Sequence, residues 1–98
     1  MRQYDVCRLR APRRGLVVVI QNDVSDRLTT RVVAPLSDEP YETVIEKLRF
    51  RVDVGGSYLL MIDRLAAVQQ SELGPVVGNL AHEQDRIKSA LDLLFLGF

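Results

Sequence analysis

The sequence predicts a small, mainly β domain of the α+β class, with five or six short antiparallel strands followed by one long C-terminal helix. Three observations carry that expectation. Short apolar or alternating runs, separated by turn residues, recur from the first residues to the middle of the chain. No helical stretch separates successive strands, so the crossovers that a parallel sheet requires are missing and neighbouring strands run antiparallel. Only the end, Gly78–Phe98 (GNLAHEQDRIKSALDLLFLGF), carries a strong helical period. Strands this short and closely joined close into a small barrel or two packed sheets.

Taken in order, Tyr4, Val6 and Leu9 alternate with Arg2, Asp5 and Arg8, the pattern of a half-buried strand. Residues 10–15 hold a proline, a glycine and three arginines and read as an exposed loop. Leu16–Ile20 is a continuous apolar run, hence a strand buried on both faces. Gln21-Asn22-Asp23 ends it, and Val24–Thr30 is a polar connection. Arg31–Leu36 (RVVAPL) is the next strand, with Pro35 placing its end at a sheet edge. Ser37–Lys47 reads as a loop with at most a short helix. Phe50, Val52 and Val54 alternate, Gly55-Gly56 makes a two-residue hairpin turn, and Tyr58–Ile62 returns. Leu65–Val68 is a further short strand. Leu73-Gly74-Pro75 marks the corner into the terminal helix, where Asn79 is a candidate N-cap.

Composition narrows the function classes. The 98 residues make one domain, 1–98, with an adequate but thin core. The 13 basic and 13 acidic residues cancel, so the overall balance points neither to nucleic acid nor to an anionic membrane. One cysteine, Cys7, rules out an internal disulfide and fits a reducing cytosol. Met1–Arg10 lacks the charged-then-apolar pattern of a leader, and Leu16–Ile20 is far too short to span a bilayer. These features read as a soluble cytoplasmic protein. No phosphate-cradling loop, metal-ligand spacing or nucleophile elbow stands out, so no cofactor or metal is expected. His82 reads as a solvent-facing helix residue.

Two features ask for a partner. On a helical wheel at about 100° per residue, Leu80, Gln84, Ile87, Leu91, Leu94 and Phe95 form a core-facing stripe. Leu93 and Leu96 fall opposite it, among His82, Arg86, Ser89 and Asp92, and a dimer or partner contact would cover them. Packing on a neighbouring loop is the plainer alternative. The second feature is the basic cluster Arg8, Arg10, Arg13 and Arg14, set against Asp5 alone. It reads as a solvated loop, as a docking surface for an acidic polypeptide through bidentate carboxylate pairs, or as a phosphate contact. The last lacks interleaved aromatics.

The runs LVVVIQNDVSD and RVVAPL within 16–36, and the terminal LAHEQDRIKSALDLLFLGF, resemble the CcdB-type toxins of bacterial toxin–antitoxin modules. The resemblance spans most of the chain, with residues 37–50 departing from the pattern. It implies a homodimer of SH3-like antiparallel barrels, each with an additional small sheet and the terminal helix. It implies an inhibitor, not an enzyme, that binds the A subunit of DNA gyrase and traps cleaved DNA, and an antitoxin whose disordered acidic C-terminal segment wraps the toxin. Positions matching the family's gyrase contact are Asn22, Val24, Ser25, Asp92, Phe95, Leu96, Gly97 and Phe98. The dimer contact is expected at Leu93, Leu94 and Leu96, and the antitoxin contact at Arg8, Arg10, Arg13 and Arg14. Leu96 stands where the family has tryptophan, and Asp92 at an asparagine-like position, which implies a weakened or retargeted gyrase poison.

Two rivals come from other classes. A ribonuclease on the same barrel would draw on Arg27, Thr29, Arg31 and Asp63 for phosphate binding and proton transfer. A homologue without strong toxicity would act only by sequestering antitoxin.

Overall fold

The computed structural model describes residues 2–22, 29–39, 45 and 47–97. Among these, seven strands precede one helix: β1 (Asp5–Leu9), β2 (Leu16–Val19), β3 (Thr30–Ser37), β4 (Arg49–Asp53), β5 (Ser57–Met61), β6 (Ala66–Gln69), β7 (Leu73–Asn79) and α1 (Gln84–Leu96). Every pairing is antiparallel.

The two-residue period of the early strands sorts their side chains into two cores. Val6, Leu16, Val18, Ile20, Ala34 and Leu36 pack with Phe50, Val52, Leu60 and Ile62 beneath Leu80, which follows β7, and Ile87 and Ala90 of α1. Their neighbours Cys7, Val17, Val19 and Val33 pack with Val68 and Leu73 on the other face. This double burial is why β2 reads Leu-Val-Val-Val without a polar residue, as its sequence implies. Asp5, on the expected polar face of β1, is buried too: its Oδ1 accepts from Asn79 Nδ2 (2.9 Å) and its Oδ2 from the Arg2 backbone N–H (2.7 Å).

The sheet runs β4-β5-β3-β2-β1-β7, with β6 also on β3. β3 is therefore forked. Thr30–Val33 pairs with β6, whereas Leu36 and Ser37 pair with β5. Pro35 is thus not at a sheet edge, as expected from sequence, but in the middle of a central strand. It is tolerated because it falls where one neighbour has ended and the other begins, so its missing N–H interrupts neither ladder. The β4–β5 hairpin hangs from the C-terminal half of β3 as the smaller lobe of the sheet. Its turn has three residues, Val54 to Gly56, rather than two, with Asp53 paired to Ser57 and Gly55 at φ +76°.

The other corrections concern the end of the chain. Leu73-Gly74-Pro75 is no corner; it opens β7, which runs to Asn79. Gly74 and Gly78 are packing residues there. A Cβ on Gly74 would lie 2.6 Å from Arg8 O, and one on Gly78 would lie 2.5 Å from Val54 Cγ2. The second contact brings β7 against the turn after β4, so the two outer strands nearly meet and the sheet curls into a barrel-like closure. The α-helix accordingly starts at Gln84, later than Gly78. Asn79 does not cap it: its Oδ1 accepts from Ala81 N–H (2.7 Å), starting the 3-10 turn Ala81–Glu83 that precedes the helix.

Candidate functional site

Helix α1 docks through Ile87 and Ala90, both fully buried, and Arg86 lies over the Phe50 ring at 4.2 Å. Beyond Leu91 the core ends. Leu94 is 37% exposed, Phe95 69% and Leu96 61%. The expected core stripe therefore does not reach Leu94 and Phe95, while Leu93, expected on the open face, is half-buried. The last turn of α1 is an apolar tip made of Leu94, Phe95 and Leu96.

Gly97 terminates that tip with φ +81°, a left-handed conformation that glycine adopts without penalty, and its N–H donates to Leu93 O at 3.1 Å. The last turn holds no basic residue, and Asp92 is exposed beside it. The negative end of the helix dipole and a carboxylate therefore reinforce one another, a combination that favours a cationic partner group. Asn22 is exposed at the end of the β2 segment; Val24, Ser25 and Phe98 lie outside the described residues.

The basic loop joins β1 to β2, closed by Leu9 N–H on Gly15 O (2.9 Å). Arg8, Arg10, Arg13 and Arg14 are all exposed, as read from sequence. Arg10 Nε donates to Leu73 O (3.1 Å), and Arg13 meets Glu72 at 3.5 Å. Sequence reasoning missed what borders this loop: Val76 and Val77 of β7 are 50% and 44% exposed. The glycines and proline around them read as breakers and hid the strand.

Among the described residues, those nominated for RNA chemistry show no acid–base pair. Asp63 spends both carboxylate oxygens on Arg49, which holds its carboxyl below the usual carboxylate range. Arg31 is buried and donates to Thr30 O (3.0 Å), and Thr29 lines a shallow cleft of about 430 Å³ with Gln69, Gln70 and Ser71. Arg27 lies outside the described residues. Burial raises the pKa of the Cys7 thiol, with the Asp5 charge adding to the shift, so it is a core residue rather than a nucleophile. Among the described residues there is no cluster able to hold a metal ion, and no helix long and apolar enough to cross a membrane.

Known structures share this architecture. An endoribonuclease in complex with its cognate antitoxin, from a mycobacterial species, superposes with a TM-score of 0.82 over 100% of this chain and 96% of that one, at 16% identity. The Mycobacterium tuberculosis toxin MazF-mt6 gives 0.76 over 93% and 95%, at 21% identity. At such identities the likeness is one of fold. The family evidence comes from the sequence: the family model described as CcdB protein matches residues 3–97, nearly the whole chain, and the chain belongs to that family.

Proposed function

We propose that this protein is the toxin of a toxin–antitoxin pair, that it acts on the A subunit of DNA gyrase in the cytoplasm, and that an antitoxin with an acidic disordered tail neutralises it. The observation that carries the reading is the apolar tip of α1, with Phe95 and Leu96 largely in solvent at the end of a well-docked helix. A helix that served only its own core would end in polar residues. In a homodimer, two such tips related by a two-fold axis present a bivalent plug to a two-fold-symmetric target. The toxin makes and breaks no bond. It binds one state of gyrase, that with cleaved DNA, and so raises its population. Leu96 supplies apolar area without a π face, while Asp92 and the helix dipole supply the attraction for a gyrase cation.

The deciding experiment is a gyrase supercoiling and DNA-cleavage assay with the purified protein and with a form lacking 96–98. Inhibition lost on truncation supports the proposal; no inhibition by either form rejects the gyrase step and leaves an antitoxin-binding homologue.

A second reading, ribonuclease activity, draws on the fold shared with the mycobacterial endoribonuclease that is seen bound to its cognate antitoxin. Cleavage of a defined RNA by pure protein, abolished by Arg31→Ala in a variant that still folds, is its test.

A further inference from the structure

The basic loop is held in place. The Arg10 backbone N–H donates to Glu72 O (2.8 Å), Arg10 Nε donates to Leu73 O, and Arg13 meets the Glu72 carboxylate. One step further on, the backbones of Arg8 and Gly74 approach so closely that a Cβ would not fit. These contacts fix the guanidinium groups of Arg10 and Arg13 against the start of β7, with Arg8 and Arg14 exposed on the same loop and strand end, and there β7 turns apolar. Pro75, Val76 and Val77 are exposed in succession on an outer strand of the sheet. Cys7 pairs with Val76, so Val76 lies one register step from Arg8, and Val77 follows it at the bulge facing Val6 and Cys7. A solvated loop accounts for the arginines but leaves two branched aliphatic side chains in water with no folding use.

Glu72 adds a clue to the partner's chemistry. Among the described residues it is the one carboxylate that these arginines contact, and the pair is half in solvent. An exposed ion pair of this kind is weak and readily exchanged.

We infer that the arginine loop and the exposed start of β7 form one composite docking surface for an acidic polypeptide segment in which carboxylates alternate with aliphatic side chains. The carboxylates take the guanidinium groups, displacing Glu72 from Arg13, and the aliphatic groups cover Pro75, Val76 and Val77. This rests on the antitoxin half of the function proposed above, and it specifies what besides charge the antitoxin's tail must carry. A nucleic acid would use the arginines but would leave the valines uncovered and meet the opposing charge of Glu72.

The test measures binding by fluorescence anisotropy across a salt series. The probes are a synthetic peptide alternating Glu with Leu, the same peptide with Ser in place of Leu, and an oligouridylate. The proteins are wild type, Val76→Ser with Val77→Ser, and Glu72→Gln, each first checked by thermal melt. The Glu/Leu peptide is expected to bind wild type, to bind the valine variant about tenfold more weakly with an unchanged salt slope, and to bind Glu72→Gln about threefold more tightly. Equal binding of the Ser peptide, or of the valine variant, overturns the composite surface while leaving a purely charged antitoxin contact standing. Oligouridylate binding above that of either peptide overturns the polypeptide assignment. Failure of both peptides to bind overturns the inference together with the antitoxin reading beneath it. Gyrase assays on the same preparations report the gyrase half independently.

Discussion

Asp63 gives both carboxylate oxygens to one guanidinium: Arg49 Nε reaches Oδ1 and Nη2 reaches Oδ2, each at 2.8 Å. The pair joins β4 to the 3-10 turn Ile62–Arg64, the turn against which α1 packs. Arg49 lowers the Asp63 pKa mainly through these bonds. Because the folded value lies below the unfolded one, the pair's stabilisation is complete above the ordinary carboxylate range and is lost as pH falls through the folded value. Wild type is therefore expected to lose stability on acidification below that range, and Asp63→Asn to lose less there. At neutral pH the variant is expected to be less stable by about 3 kcal/mol, since it strips a largely buried guanidinium of its carboxylate. Denaturant melts across pH check both.

The two packed glycines of β7 are expected to differ. An alanine at 74 meets the Arg8 carbonyl, which moves only with the strand; one at 78 meets a Val54 methyl, which a side-chain rotation relieves. Gly74→Ala is expected to cost about 2 kcal/mol and Gly78→Ala about 1 kcal/mol, read from urea midpoints. The reverse order would place the tighter closure at the β4 end.

Along α1, stability and function are expected to separate. Ile87→Ala empties a fully buried site and costs about 3 kcal/mol. Phe95→Ser, at the exposed tip, is expected to leave the melting curve close to wild type, as surface substitutions do, and to remove the gyrase inhibition proposed above. A Phe95→Ser protein that inhibits normally would move the contact away from the tip.

Restoring an aromatic face at the tip tests the cationic target. Leu96→Trp is expected to strengthen gyrase inhibition about 2- to 30-fold, the range of a cation–π contact worth about 0.5–2 kcal/mol. Unchanged inhibition would mean that no gyrase cation sits over this position.

Arg13→Glu with Arg14→Glu is expected to weaken binding of an acidic antitoxin tail by at least about tenfold at low salt, with a smaller effect at high salt. Stability should barely move, because the Arg13–Glu72 pair is exposed. Calorimetric titration and a thermal melt separate the two effects.

What was legible in the sequence was whatever a local period records. The apolar run of β2, the alternation of β4 with the apolar return of β5 after Gly55-Gly56, and the amphipathic start of α1 each declare themselves over a few residues. β7 did not, because Gly74, Pro75 and Gly78 look like breakers until Arg8 and Val54, distant in sequence, are seen pressing against them. The helical wheel likewise carries no record of where the core beneath a helix stops. It put Leu94 and Phe95 inside because it extended the stripe of Ile87 past Leu91, the last helix residue that packs on the core cluster among the described residues. The arginines were legible as an exposed group; their attachment to Glu72 and the valines beside them belong to tertiary structure alone.

The fork in β3 also has a dynamic consequence. A strand that shares its two halves between different neighbours on one side, and runs along β2 on the other, cannot open until both branches have come away. The β4–β5 hairpin and β6 can each detach as a local fluctuation while β3 stays paired to β2. Backbone amides near the branch point, around Val33 and Ala34, are then the last to exchange with solvent deuterium, and their exchange free energy approaches that of global unfolding. The tip of α1, beyond its last buried residue at Ala90, exchanges early. The most persistent part of the molecule and its exposed apolar tip therefore lie at opposite ends of one scale of local stability.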